Sequence, residues 1–97
     1  MFNFKRSISK NILNRLVIKK QKREWEERLK HFITVSEKTA KEGKYGLTIS
    51  ENHLKCDYNN KRTIEEILKD IRDKFKNCSV NYGETAYGSK IVQISWE

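Results

Sequence analysis

The first 42 residues contain neither proline nor glycine, and this absence strongly favours helix at the start of the chain. Proline and glycine interrupt helices, whereas Lys, Arg, Glu and Leu, which are abundant here, are good helix formers. Ser7 or Ser9 can cap a helix that begins near Ile8. Gly43 ends it, because glycine readily adopts the left-handed conformation found after helix C-termini. The sequence therefore predicts one helix of about 30 residues, or two helices with a break between them.

Two apolar stripes lie on opposite sides of this helical stretch. At about 100° per residue, one stripe comes from residues 8–17 and the other from residues 25–40, and their mean directions differ by roughly half a turn. A single core cannot cover both. Either the helix breaks between Ile18 and Glu24, or its N-terminal half projects and offers its stripe to a partner chain or a membrane. The first stripe contains Ile8, Ile12, Leu13, Leu16 and Val17, and the second contains Trp25, Leu29, Phe32, Ile33, Ser36 and Ala40.

The net charge of the chain lies entirely in residues 1–23. This segment holds eight of the 21 lysines and arginines and no acid, while the other 13 cations balance the 13 acids. The net charge of +8 therefore belongs to a basic segment with an apolar stripe, which we call the arm. The sequence predicts two parts, the arm over residues 1–23 and a single neutral domain over residues 24–97. The cations of the arm are Lys5, Arg6, Lys10, Arg15, Lys19, Lys20, Lys22 and Arg23.

The remaining residues show strand and helix patterns in turn. Residues 45–50 alternate as a strand, and residues 54–58 are compatible with a second short strand. Thr63 and Glu66 form a capping-box pattern that starts a second helix. Two further strands, over residues 78–82 and 90–97, flank a glycine-containing loop. We expect an α+β fold, with the long N-terminal helix and the second amphipathic helix packed on one face of a small, mostly antiparallel sheet of three or four strands.

No residue pattern in the sequence is typical of catalysis or of metal binding. His31 and His53 stand far apart in the chain, and Cys56 and Cys78 form no C-x-x-C pair. The motifs of zinc proteases, phosphate-binding loops and dinucleotide-binding turns are absent from the sequence. We therefore expect a protein that is not an enzyme, with no catalytic residue, no metal site and no cofactor.

Two short segments carry a resemblance to a known group of proteins. Residues 40–45, Ala-Lys-Glu-Gly-Lys-Tyr, lead into a strand, a second short helix follows, and residues 94–96, Ile-Ser-Trp, end the last strand. From Glu37 onward this order resembles small uncharacterised α+β proteins encoded by large double-stranded DNA viruses and phages. The resemblance implies a non-enzymatic accessory or virion protein, and it implies no particular site residues.

Cysteine use and hydropathy indicate an intracellular protein. Two cysteines without a secretory signal are typical of reduced thiols rather than of a disulfide. No apolar run reaches the roughly 18 residues that a membrane-spanning helix needs. We expect a location in the host cytoplasm or in a virion, neither secreted nor transmembrane. The acid-free N-terminus is also compatible with a mitochondrial presequence.

The arm is the part of the sequence best suited to binding. Its apolar stripe can pack on other protein subunits or on a second copy of the chain, and its cations can meet an acidic surface or phosphates. The leading interpretation is a viral structural or accessory protein whose arm docks on partner subunits. The alternative is a sequence-independent nucleic-acid-binding protein that uses the same arm. Binding to a membrane surface is a third option.

Overall fold

The computed structural model describes residues 7–97, and in it α1 (Lys10–Lys41) is one uninterrupted helix of 32 residues. Of the two predicted caps Ser9 is used, since its hydroxyl accepts a hydrogen bond from the Ile12 backbone N–H at 3.2 Å. The helix ends just before Gly43, whose φ of 85° lies in the left-handed region. No break interrupts α1 at the change of stripe, so its N-terminal half projects from the domain.

Three antiparallel strands form the sheet within residues 7–97. They are β1 (Gly46–Ser50), β2 (Ser79–Glu84) and β3 (Lys90–Ser95), in the spatial order β1-β3-β2. Ile94 of β3 stands opposite Leu47 on one side and Val80 on the other. Because opposite residues share a face, these side chains form one apolar layer, and β1 and β2 are the two edges of the sheet.

The second helix, α2 (Ile64–Lys74), begins with the predicted capping box between Thr63 and Glu66. Its apolar side packs with that of α1 on the inner face of the sheet, which confirms the expected α+β fold. Ala40, which the sequence placed on the core-facing stripe, is exposed, and Trp96 is only half-buried. The core consists of Trp25, Leu29, Phe32, Ile49, Leu54, Ile67, Leu68, Ile71, Phe75, Val80, Val92 and Ile94.

The connection between β1 and α2 is not a strand, so the short strand predicted over residues 54–58 is wrong. The side-chain amide of Asn59 donates to the Leu54 carbonyl at 2.7 Å, and Nη1 of Arg28 on α1 donates to the Lys55 carbonyl at 2.7 Å. These side chains occupy backbone carbonyls that a neighbouring strand would otherwise pair. The connection instead forms two 3₁₀ turns, over Glu51–Leu54 and Asp57–Asn59.

Candidate interaction surface on the arm

The described part of the arm carries an exposed apolar surface, which we call the ridge. Its five residues are between 46% and 56% exposed, although side chains of these types are usually buried in folded proteins. Helical periodicity places Leu16 about half a turn from the core-facing residues Trp25 and Leu29. The ridge therefore faces away from the rest of the protein, residues 24–97, which we call the body. The ridge consists of Ile8, Ile12, Leu13, Leu16 and Val17.

The projecting half of α1 remains helical because the body supplies the first turns. Starting a helix is the unfavourable step, whereas extending one costs little in a sequence of good helix formers. The core-packed turns of α1 provide the helical start from which the projecting half extends; their buried residues are Trp25, Leu29 and Phe32. Four of the five ridge residues are therefore presented on a preformed helix, although residues 7–20 are all exposed; Ile8 precedes the Ser9 cap and is not helical.

Six cations of the arm lie in α1, and none forms an ion pair with a described residue. At about 100° per residue they cover about two thirds of the helix circumference and leave the side in line with Trp25 and Leu29 without a cation. Lys19 flanks the ridge on one side and Lys10 flanks it on the other. The six are Lys10, Arg15, Lys19, Lys20, Lys22 and Arg23, while the remaining predicted cations, Lys5 and Arg6, lie outside the described residues.

A polar network fixes the base of the arm to the body. Nε1 of Trp25 donates to Oδ2 of Asp70 at 2.8 Å, and Nη1 of Arg62 donates to the same oxygen at 2.7 Å. Arg62 also donates to Oδ1 of the buried Asn59 at 3.0 Å and lies over the ring of Tyr58, 4.7 Å from its centroid. The network therefore joins α1, the connection and α2 at one point.

The charges of this network are stabilised by the contacts within it. Burial raises the pKa of Asp70, but hydrogen bonds from Arg62 and Trp25 lower it by more, so the pKa of Asp70 lies below its ordinary value. The hydrogen bond to Asp70 raises the pKa of Arg62. Both groups therefore stay ionised at neutral pH, and their hydrogen bonds hold secondary-structure elements together.

The structure brings together His31 and His53, which the sequence separates by 22 residues. Both line a groove of about 140 Å³ between α1 and β1. No group of three or more His, Cys, Asp or Glu side chains in residues 7–97 is arranged to hold a metal ion. Sequence reasoning missed the groove, because no local pattern shows which part of α1 packs beside which strand. Its other lining residues are Phe32, Val35, Leu47, Thr48 and Ile49.

Cys56 and Cys78 are free thiols, as expected, and both are half-buried against the core. Across residues 7–97, no helix combines the length and the apolar character needed to cross a bilayer.

Comparison of the chain with protein-family models, with curated proteins and with solved structures finds no match. A functional interpretation therefore depends on the physical properties of the described residues. The exposed ridge and the six described cations of the arm, which form no ion pair with a described residue, are two features that the fold does not explain.

Proposed function

We propose that the chain is a non-enzymatic structural or accessory interaction protein, of the kind that large double-stranded DNA viruses encode, and that its arm docks on a partner protein subunit. The observation that carries this proposal is the exposed ridge, four of whose five residues lie on the projecting half of α1. An amphipathic helix that lays its apolar side into a groove is a recurrent mode of protein recognition. Here the helix is already formed, so binding costs little ordering of its backbone.

The size of the ridge indicates that apolar contact alone does not give a stable complex. Burying a half-exposed aliphatic side chain completely contributes about 1 kcal/mol, so five such residues contribute about 5 kcal/mol. Association itself costs at least about 4 kcal/mol. A stable complex therefore needs further contacts, and the cations on both flanks of the ridge can supply them. This favours a partner whose groove is apolar at its floor and acidic at its rim.

A second copy of the chain fits the ridge less well than an acidic partner does. Two ridges in contact would bring together two arms that each carry six unpaired cations in their described part. Like charges across an interface oppose association.

Nucleic-acid binding is the second candidate function, and the distribution of the cations favours it. Cations that cover about two thirds of the circumference of a helix can neutralise phosphates in several orientations, without regard to base sequence. Eight phosphate contacts would give a salt dependence with a slope of at most about seven. This function would explain the charge of the arm but would leave the ridge uncovered.

Three variants separate the two functions. The ridge variant carries Leu13→Gln and Leu16→Gln, which removes apolar surface and keeps the charge. The charge variant carries Lys19→Gln and Arg23→Gln, which keeps the ridge. Asn14→Gln, on the opposite side of the arm, is the control. Proteins cross-linked to the wild-type chain in its source cells are identified and purified, and each is titrated with all four chains by calorimetry.

The docking function predicts that one purified partner binds the wild-type chain and the control equally. We expect the ridge variant to bind it at least about tenfold more weakly, a loss of about 1.4 kcal/mol. If the ridge variant binds the purified partner as tightly as wild type does, the proposal is wrong. If the wild-type chain and the ridge variant instead bind duplex DNA equally, with an affinity that falls steeply with salt, the nucleic-acid function replaces it.

A further inference from the structure

The outer edge of β1 presents backbone groups that no described residue pairs. The Trp96 N–H donates to the Tyr45 carbonyl at 3.0 Å, and hydrogen-bonded pairs recur at every second residue of an antiparallel ladder. Leu47 therefore turns its N–H and C=O towards β3, whereas Gly46 and Thr48 turn theirs outward. Both of these residues are exposed, and neither has a backbone hydrogen bond to another element among the described residues.

The opposite edge of the sheet is partly protected, and β1 is not. On β2, Nη2 of Arg72 donates to the outward carbonyl of Val80 at 3.1 Å. Edge strands in natural proteins are usually protected by such caps, by charged side chains or by proline. The five residues of β1, Gly-Leu-Thr-Ile-Ser, include no charge and no proline. The edge of β1 is therefore the open one.

A groove runs along this open edge, between β1 and α1. Its volume is about 140 Å³, similar to the about 150 Å³ of an enclosed cavity that holds a benzene molecule, but the groove is open to solvent and His31 and His53 also line it. Phe32 and Val35 of α1 contribute apolar walls. A strand added to β1 would point every second side chain towards the inner face of the sheet, where the groove lies. The groove has room for one branched aliphatic side chain of that strand.

We infer that this edge is a docking site for an extended segment of a partner protein, which adds a fourth strand to the sheet and places one aliphatic side chain in the groove. Outward N–H and C=O groups repeated at every second residue match an extended polypeptide backbone. A helix, a lipid or a nucleic acid has no such repeat to offer. The site lies on the body, so it is separate from the ridge and extends beyond the proposed function.

A second copy of β1 could satisfy the same backbone groups but could not fill the groove. The inner-face residues of β1 are Leu47 and Ile49, and both already pack against the core of their own chain. A symmetric pair of β1 strands would therefore leave both grooves empty. A foreign strand has inner-face side chains that are not yet packed, which is why the groove favours a different protein as the occupant.

The test uses the full chain, labelled with ¹⁵N, and a neutral probe peptide with the sequence acetyl-Lys-Thr-Val-Thr-Val-Thr-Glu-amide. Its net charge of about zero keeps it from binding the cationic arm by charge alone. A control probe has the same sequence with every central backbone nitrogen methylated, which removes the donors of the strand. Amide chemical shifts report which residues each probe contacts, and light scattering reports the mass of the chain.

Two substitutions at one position give the matched protein control. Thr48→Pro removes the outward N–H, which makes no bond to β3, and proline is tolerated at such edge positions. Thr48→Val removes the same hydroxyl but keeps the N–H. Circular dichroism checks that both variants fold. The ridge variant is titrated as well, because its arm is changed while its β1 edge is not.

We expect the probe to shift the amides of Gly46, Thr48 and Ser50 with a dissociation constant of about 1 mM or lower. Thr48→Val and the ridge variant should bind the probe with dissociation constants within about twofold of wild type. Thr48→Pro should bind it at least about tenfold more weakly. The methylated control probe should not bind to the wild-type chain. The inference is overturned if both probes bind alike, if the shifts fall on the arm or on β2, or if no shift occurs. It is also overturned if the chain alone dimerises through β1, since a second copy is then the occupant.

Discussion

The indole N–H of Trp25 lies 2.8 Å from Oδ2 of Asp70, 45 residues later in the chain. Trp25 is completely buried, and the same carboxylate oxygen accepts a hydrogen bond from Arg62 at 2.7 Å. Turning α1 about its own axis would break the indole bond. The Trp25–Asp70 contact therefore fixes which side of α1 faces the core, and by helical geometry it also fixes the direction in which the ridge points.

The same substitution at two positions of α1 should have very different effects on stability. Leu29 is 1% exposed and Leu13 is 47% exposed. Leu29→Ala should lower the free energy of unfolding by about 3 kcal/mol, because it leaves a cavity in the core. Leu13→Ala should change it by less than about 0.5 kcal/mol, because alanine is a good helix former. Urea unfolding followed by circular dichroism measures both, and equal losses would mean that the arm packs on the body.

Removing the charge of Asp70 should destabilise the fold. Asp70→Asn weakens the hydrogen bonds from Trp25 and Arg62, and bonds of this kind to charged groups contribute about 2 kcal/mol. Asp73→Asn is the control, because Asp73 pairs with Lys69 at 3.1 Å while both side chains are more than half exposed. Its effect on urea unfolding should be close to zero, since exposed ion pairs contribute little. Similar losses for the two variants would count against a structural role for the network.

Acid should remove the difference in stability between wild type and Asp70→Asn. The pKa of Asp70 is lowered in the folded state, so its carboxylate stabilises the fold above the pKa of an unfolded aspartate, about 3.9. This stabilisation is lost as the pH falls through the lower, folded-state pKa. The difference in unfolding free energy between the two chains should be nearly constant from pH 7 to about pH 5 and should shrink below about pH 4. Urea unfolding at each pH measures it, and a difference that grows in acid would contradict the assignment.

Substitution by alanine should affect stability differently at two glycines. Gly43 has a φ of 85°, and a Cβ there would meet no atom within 4 Å, so the cost of Gly43→Ala is backbone strain alone. That strain is about 1 kcal/mol. Gly83 has equally open surroundings without a left-handed backbone, so Gly83→Ala should leave stability unchanged or slightly raised. Thermal unfolding of the two variants makes the comparison, and an unchanged melting temperature for Gly43→Ala would disprove the strain.

Local periodicity was sufficient to predict both helices, the antiparallel sheet and the opposite directions of the two stripes on α1. It was misleading over residues 54–58, where Leu54, Cys56 and Tyr58 alternate as they would in a strand. Leu54 is buried and the other two are half-buried, but two 3₁₀ turns produce that burial. Arg28 stabilises the turns from 27 residues away by donating to the Lys55 carbonyl. A contact of that range leaves no trace in the local pattern.

Of the two candidate surfaces, the sequence predicted the ridge with its cations but not the groove beside β1. The composition of the ridge and the cations followed from residues that are close in sequence, and the structure adds that α1 runs without a break from Lys10 through the change of stripe into the core. The groove beside β1 could not have been predicted, because Val35 and Thr48 meet there only through the packing of α1 on the sheet. The Trp25–Asp70 bond is likewise visible only in the folded chain, since each residue had an ordinary local explanation as core and as helix surface.

Because α1 is continuous, it also fixes the distance between the ridge and the groove beside β1. Leu16 on the ridge and Val35 beside the β1 groove lie 19 residues apart on one helix, which corresponds to about 28 Å along its axis and about 100° around it. A protein held on the ridge and a strand held in the groove would therefore keep a constant separation and a constant relative rotation. A chain of this construction would serve as a molecular ruler between two partners, and shortening or lengthening α1 by one residue would turn one partner relative to the other by about 100°.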